Sequence, residues 1–296
     1  MLRLFFQIAE HNVELCFQQP EVNNMTLVPS LEPFRVSEPA APLFFRLTVD
    51  DTLVPASKEE RTRIDSFDTG NGDTIVWRLA GGGYQYVIKD ILKRDCCLLK
   101  TNKDFSECQC ALNGSYSMRC FGLNSALMLI SAFAGSFHQT LLIHASLVRC
   151  NGYGYAFIAK SGTGKSTQVS SWLRYIPGCD LMNDDNPIIR IIGDQAFIYG
   201  SPWSGKTPCY RNVKAPLGAI TRIDRAKVNS VERVSPVQAF ASLLPANSTM
   251  KWDKDIFNAA CDITSRLVEL CNVYTLHCLP DEEAARLSYQ TLVHHG

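Results

Sequence analysis

The sequence predicts an α/β protein in which a mixed sheet presents a glycine-rich turn, preceded by a β-rich antiparallel amino-terminal region (α+β). Three observations lead there. Short alternating apolar runs separated by polar turns fill the first hundred or so residues, an uninterrupted apolar helical pattern begins after Asn113-Gly114-Ser115, and a glycine-rich segment at 159–167 sits between a strand pattern and a helix pattern. The boundary signal divides the chain into an expected β-rich domain at 1–115 and a nucleotide-binding α/β domain at 116–296.

In order along the chain, residues 2–8 and 13–18 read as a hairpin around Glu10-His11-Asn12. Residues 74–79 and 84–88 flank Ala80-Gly81-Gly82-Gly83, and residues 96–101 and 106–112 flank Asn102-Lys103-Asp104-Phe105, two further hairpins. Five prolines between residues 19 and 42 mark an irregular excursion. Leu123, Leu127, Ile130, Ala134 and Phe137 recur at helical spacing and predict a core helix over 118–137. Residues 141–150 and 153–159 read as strands joined by Asn151-Gly152, a dipeptide suited to a two-residue turn. Later strands are expected at 188–192, 195–199, 215–223 and 273–279, and helices at 235–244, 255–270 and 281–293.

Composition narrows the classes of partner. Lys+Arg 29 and Asp+Glu 29 cancel, so no net field draws the chain to nucleic acid or to an anionic membrane. The stretch 4–9 is too short and too interrupted by Gln7 for an export signal, and 123–137 carries Asn124, Ser125, Ser131 and Ser136, which suits a buried helix better than a span. Twelve cysteines contain no Cys-x-x-Cys pair, so reduced thiols and a cytoplasmic location are expected, without zinc. A homo-oligomer stays open.

Residues 159–167 read Ala-Lys-Ser-Gly-Thr-Gly-Lys-Ser-Thr, a Walker A phosphate loop with alanine in the first glycine position. Gly162 and Gly164 let backbone amides from Ser161, Thr163 and their neighbours curl around a phosphate at the start of a helix, whose end carries unpaired donors and a positive dipole. Lys165 would bridge β- and γ-phosphate oxygens, Ser166 would ligate Mg²⁺, and Thr167 would meet the α-phosphate of ATP. After the helix, Leu181-Met182-Asn183 delivers Asp184 and Asp185, and Pro187 stops the strand. Neighbouring residues of a strand face opposite sides, so one carboxylate can serve Mg²⁺ and the other an acceptor hydroxyl. The glycine-rich loop beyond them supplies Lys206, and Arg211 follows it, both candidates for the γ-phosphate as well as for plain exposed cations.

This constellation resembles the HPr kinase/phosphorylase catalytic domain, of the phosphoenolpyruvate carboxykinase-like group of phosphate-loop proteins. The match comprises His144-Ala145-Ser146 opening a strand, the loop at 159–167, and Asp184-Asp185 ending a later strand, over about fifty residues. The resemblance implies a PEP carboxykinase-like fold, with Asp184 associated with Mg²⁺, Asp185 as the base for the acceptor hydroxyl, and His144 beside the transferring phosphoryl group or the acceptor. The glycine-rich stretch that shapes the protein-substrate site of true HPr kinases has no counterpart after the carboxylates, and the carboxylate-binding residues of the longer carboxykinases are not found. The implied activity is therefore an ATP- and Mg²⁺-dependent kinase acting on a hydroxyl, in a peptide or protein serine or in a small molecule. The competing expectation is a non-catalytic ATP-binding switch or scaffold.

Overall fold

Turn chemistry and the periodicity of apolar residues set the elements of the chain, which is described from a computed structural model over residues 1–39, 42–68, 72–205 and 207–293. It forms two units, one of residues 1–137 with 251–253, the other of residues 138–250 with 254–296.

In the first unit β1 (Leu2–Ile8), β2 (His11–Phe17), β3 (Arg35–Val36), β4 (Leu43–Val49), β5 (Arg61–Asp68), β6 (Asp73–Leu79), β7 (Tyr84–Lys89), β8 (Asp95–Thr101) and β9 (Glu107–Leu112) form one sheet in the order β3-β1-β2-β4-β9-β8-β7-β6-β5. The three expected hairpins are β1–β2, β6–β7 and β8–β9. The sheet is mixed rather than antiparallel, because β4 runs parallel to both β2 and β9. Parallel neighbours need a long crossover. The proline-containing excursion after β2, which folds partly as 3₁₀ turns at Met25–Leu27 and Pro29–Phe34, supplies the first one.

Helix α1 (Tyr116–Gly135) packs on β8 and β9, and its Phe133 closes an aromatic cluster with Tyr86 and Phe105 at centroid distances of 6.4 and 5.5 Å. That packing carries the helix into the first unit, so the division falls after Phe137 and not after Ser115. By length and composition α1 could cross a membrane, but 67% of its apolar window is buried within the protein. Residues 251–253 join this unit through Trp252, stacked on Phe67 at 5.6 Å, and through Asp253, which accepts from Tyr84 Oη.

The second unit contains β10 (Thr140–Leu142), β11 (Ala145–Cys150), β12 (Tyr153–Ile158), α2 (Lys165–Tyr175), β13 (Asp180–Asp185), β14 (Ile188–Ile192), β15 (Gln195–Tyr199), β16 (Lys214–Arg225), β17 (Ser230–Arg233), α3 (Pro236–Leu243), α4 (Lys254–Leu270), β18 (Asn272–Cys278) and α5 (Glu282–Leu292). Its nine-stranded sheet follows β10-β14-β15-β16-β12-β11-β13, with β18 on β16 and β17 on β18. β16 is parallel to β12 and to β18, which makes this sheet mixed as well. The unit is α/β, as expected.

Strand alternation sorts two cores. Leu147, Ala156, Ile158 and Ile220 pack with Ile189 and Ile198 of the outer strands and with Leu243 of α3 and Ile263 and Leu267 of α4. Val148, Tyr155, Phe157 and Leu276 face the other way, onto Val169 and Trp172 of α2 and Ala284, Ala285 and Leu292 of α5. Leu173 of α2 stays 38% exposed, whereas Ile176, just past the end of the helix, packs in this core.

The run expected as one strand at 141–150 is broken at Ile143-His144. β10 pairs with β14, whereas β11 pairs with β12 and β13. At the break Ile143 bridges to Asn247 and the His144 amide donates to the Ala246 carbonyl at 2.8 Å.

Candidate functional site

The register of β11 on β13 sets Ser146 against Asp184 and Ala145 against Asp185. Ser146 lies two residues from Val148, which packs against α2, so Ser146 and Asp184 share the α2 face of the sheet. There the loop between β12 and α2 brings in Ser166. Asp184 is almost fully buried, and its Oδ1 accepts from Ser146 Oγ at 2.6 Å and from Ser166 Oγ at 2.8 Å. One carboxylate with two hydroxyls makes a cluster of hard oxygen donors. Among the described residues no group of three or more His, Cys, Asp or Glu side chains could hold a metal ion, so a cation at this place would also need oxygens from a ligand.

The loop depends on glycine at two positions for conformational reasons. Gly162 has φ +75° and Gly164 φ +132°, and a Cβ at either would meet nothing within 4 Å, so backbone geometry and not crowding excludes other residues. No side chain caps Gly164 at the start of α2. The first helical amides there have no intrahelical acceptor and sit at the positive end of the helix dipole, an arrangement that favours an anion. Ser161, Gly162, Ser166 and Thr167 are exposed, and Thr163 and Gly164 half-buried.

Lys165 turns back over this loop. Its Nζ donates to the Ala159 carbonyl at 3.2 Å and lies 2.8 Å from His144 Nε2. Burial lowers the Lys165 pKa, and the carboxylates of Asp185 and Asp184 oppose that shift. With Lys165 charged its ammonium can only donate, which assigns Nε2 as the acceptor and the ring proton to Nδ1. That proton faces Asp185 Oδ1 at 3.1 Å, and Asp185 Oδ2 accepts from Asn186 Nδ2 at 2.8 Å. Lys165, His144 and Asp185 thus form one hydrogen-bonded line across the end of β11, reachable because the break at Ile143-His144 frees His144 from the ladder.

Asp185 is held at φ +147°, a conformation costing about 1–3 kcal/mol outside glycine. Its neighbours maintain it. Asn183 Oδ1 accepts from the Asn186 amide at 3.0 Å while Asn183 Nδ2 donates to the Trp203 carbonyl at 3.0 Å, and Asp185 bridges to Ser204. The Gly205 amide donates to the Asp184 carbonyl, an approach so close that a Cβ on Gly205 would lie 3.0 Å from that oxygen. The loop after β15 is therefore stitched to the carboxylate end of β13 by backbone.

His144, Lys165, Ser166, Asp184 and Asp185 come together. Lys206 lies outside the described residues. Arg211 is taken elsewhere, because Asp180 at the start of β13 binds it at 2.6 Å while also pairing with Arg149 at 2.9 Å. Burial would raise the Asp180 pKa, but these two arginines lower it. Arg211 also donates to the Leu181 carbonyl, so its guanidinium is held at the start of β13 and not at Asp184 near its end. Sequence patterns missed Ser146 and Asn186 as partners of the two carboxylates. They also missed Arg225, whose guanidinium reaches the Gly162 and Thr163 carbonyls. Each is tied to the site by strand register or by a turn; only Ser146 left a sequence signal, in the His144-Ala145-Ser146 opening of β11.

No family model and no curated protein matches this chain. Among solved structures, the Hpr(Ser) kinase/phosphatase from Coxiella burnetii is a weak structural neighbour, with 11% identity and a TM-score of 0.29 over 51% of this chain and 92% of that one.

Proposed function

We propose that the chain is an ATP- and Mg²⁺-dependent kinase that transfers the γ-phosphoryl group to a hydroxyl of a peptide, a protein or a small molecule, and that its second unit is a PEP carboxykinase-like phosphate-loop domain. The observation that carries the proposal is the separation of the two adjacent carboxylates. Asp184 is engaged with the loop hydroxyl of Ser166, whereas Asp185 is turned to His144 with its side chain 34% exposed. A protein that only binds nucleotide needs the first carboxylate and has no use for the second.

ATP would lie with its phosphates on the amides of 164–166 at the start of α2, drawing Lys165 from His144 onto the β- and γ-phosphate oxygens. Ser166 and Asp184 offer the hard oxygen donors that suit Mg²⁺, which would neutralise phosphate charge there. The acceptor hydroxyl gives its proton to Asp185 as its oxygen bonds to the γ-phosphorus, and the bond from that phosphorus to the β,γ-bridging oxygen breaks to release ADP. His144 Nδ1–H and Asn186 fix the Asp185 carboxylate in place, so most of the rate would come from position and electrostatics. The cytoplasm, which supplies ATP and keeps thiols reduced, fits the twelve free cysteines.

The test is to incubate the protein with Mg²⁺ and γ-labelled ATP plus free serine, short serine peptides or a cell extract, and to follow the label. Transfer to a hydroxyl supports the kinase. ATP binding with no transfer to any acceptor leaves a nucleotide-binding switch or scaffold.

A further inference from the structure

β16 outruns its neighbour. Ile158, the last residue of β12, aligns with Arg222, so β16 continues three residues alongside the start of the phosphate loop. Arg225 ends it. The backbone of Arg225 is paired with Cys278 of β18, and the next amide, of Ala226, donates to the Cys278 carbonyl at 3.2 Å, so the side chain springs from a fixed base. Its Nε donates to the Thr163 carbonyl at 3.1 Å and its Nη2 to the Gly162 carbonyl. Among the described residues Arg225 has no ion-pair partner, which leaves its charge uncompensated beside the loop.

Resting on the nucleotide reading above, we infer that Arg225 is a positioning residue that braces the phosphate loop from outside and raises its affinity for nucleotide phosphates. A trans peptide points its carbonyl and its amide in opposite directions. Fixing the Thr163 carbonyl on Arg225 therefore turns the Gly164 amide toward the concave side of the loop. Fixing the Gly162 carbonyl likewise sets the Thr163 amide, which donates to the Lys160 carbonyl at 3.1 Å and closes the turn. Two consecutive peptides at the most permissive part of the loop, where glycine has no conformational preference of its own, are thereby oriented by one guanidinium. Its fork can hold two carbonyls at once, which an ammonium cannot.

Arg225→Gln and Arg225→Lys are compared with the parent in the full-length protein, by calorimetry with Mg·ATP and Mg·ADP and by amide hydrogen exchange across 160–167 without nucleotide. Arg225→Gln is expected to weaken both nucleotides about tenfold, the size of a lost charge-assisted hydrogen bond. Exchange at Thr163, whose amide is bonded to the Lys160 carbonyl, should quicken, and the exposed position should leave the melting temperature nearly unmoved. Arg225→Lys, which keeps the charge and can reach one carbonyl, should recover affinity to within about threefold of the parent. Parent-like affinity in Arg225→Gln overturns the inference while leaving the nucleotide site standing. A tenfold loss with unchanged loop exchange overturns the bracing role. A parent that binds no Mg·ATP overturns the nucleotide reading and this inference with it.

Discussion

Replacing Asp185 by asparagine tests whether base and binding are separate jobs. Asp185 Oδ1 lies 3.1 Å from His144 Nδ1 and Oδ2 accepts from Asn186 Nδ2 at 2.8 Å. An amide has one acceptor where the carboxylate has two, so in either orientation its NH₂ meets another donor. That conflict, on a partly exposed side chain, costs about 1 kcal/mol. In a domain of roughly 150–250 residues about 1 kcal/mol lowers Tm by roughly 2–4 °C. Asparagine and aspartate have the same branching next to the backbone, so the strain at +147° is common to both variants and adds little to the difference. Losing a positioned base slows transfer about 10²- to 10⁴-fold, equivalent to about 3–5 kcal/mol of barrier. Asp185→Asn should thus lower phosphoryl transfer at least a hundredfold, with Mg·ATP affinity within about twofold of the parent and only a small fall in Tm. Asp184→Asn, which disturbs the carboxylate holding Ser146 and Ser166 at 2.6 and 2.8 Å, should instead weaken Mg²⁺-dependent nucleotide binding. The assays are transfer of label from γ-labelled ATP, calorimetry and thermal melting on both variants. Transfer by Asp185→Asn within tenfold of the parent, or an affinity loss as large as its loss of transfer, would refute the division of labour.

Three further outcomes are expected. Lys165→Ala should weaken Mg·ATP binding by more than about tenfold, since it removes the ammonium that would move onto the β- and γ-phosphate oxygens; unchanged affinity by calorimetry in the folded variant would refute this. Gly200→Ala should destabilise by about 1–3 kcal/mol, because its Cβ would lie 2.2 Å from the Arg211 carbonyl and 3.0 Å from that of Met182, both backbone atoms that cannot swing aside. Thermal melting at the parent's temperature would count against it. Burial alone would raise the Glu14 carboxyl, but hydrogen bonds from Arg3, Arg46 and Cys16 hold it at about 2 against an ordinary 4.5. A carboxyl depressed by folding contributes stability that is present above the unfolded value and lost as pH falls from about 4.5 toward 2. Acid titration of stability in the parent should show that limb and Glu14→Gln should flatten it; identical limbs would remove Glu14 from the account.

Local chemistry was enough for several elements. Asn151-Gly152 adopts positive φ at both residues, as its turn requires, and joins β11 to β12. Gly162 and Gly164, with Lys165 at the first helical position, place the loop and α2 by backbone preference alone. Asp184 and Asp185 end β13, ahead of Pro187, where a strand pattern says they should. These features depend on residues within a few positions of one another, so a linear reading can weigh them.

Pairing between distant segments decided the rest. The apolar run from Leu141 to Cys150 has no breaker inside it, yet it is cut at Ile143-His144 because its two halves find better partners in β14 and in β12 with β13, and only that cut lets His144 reach Lys165 and Asp185. Nothing near Arg211 announces that Asp180 will hold it away from the loop, and nothing near Arg225 announces that β16 will carry it alongside Gly162. β4 between two parallel neighbours and α1 on the first sheet follow the same rule. The sequence by itself determined which side chains could do phosphate chemistry, because glycine freedom, helix starts and strand ends are local energies. The tertiary structure decided which of them meet, because strand register and burial are set by surfaces that only folding brings together.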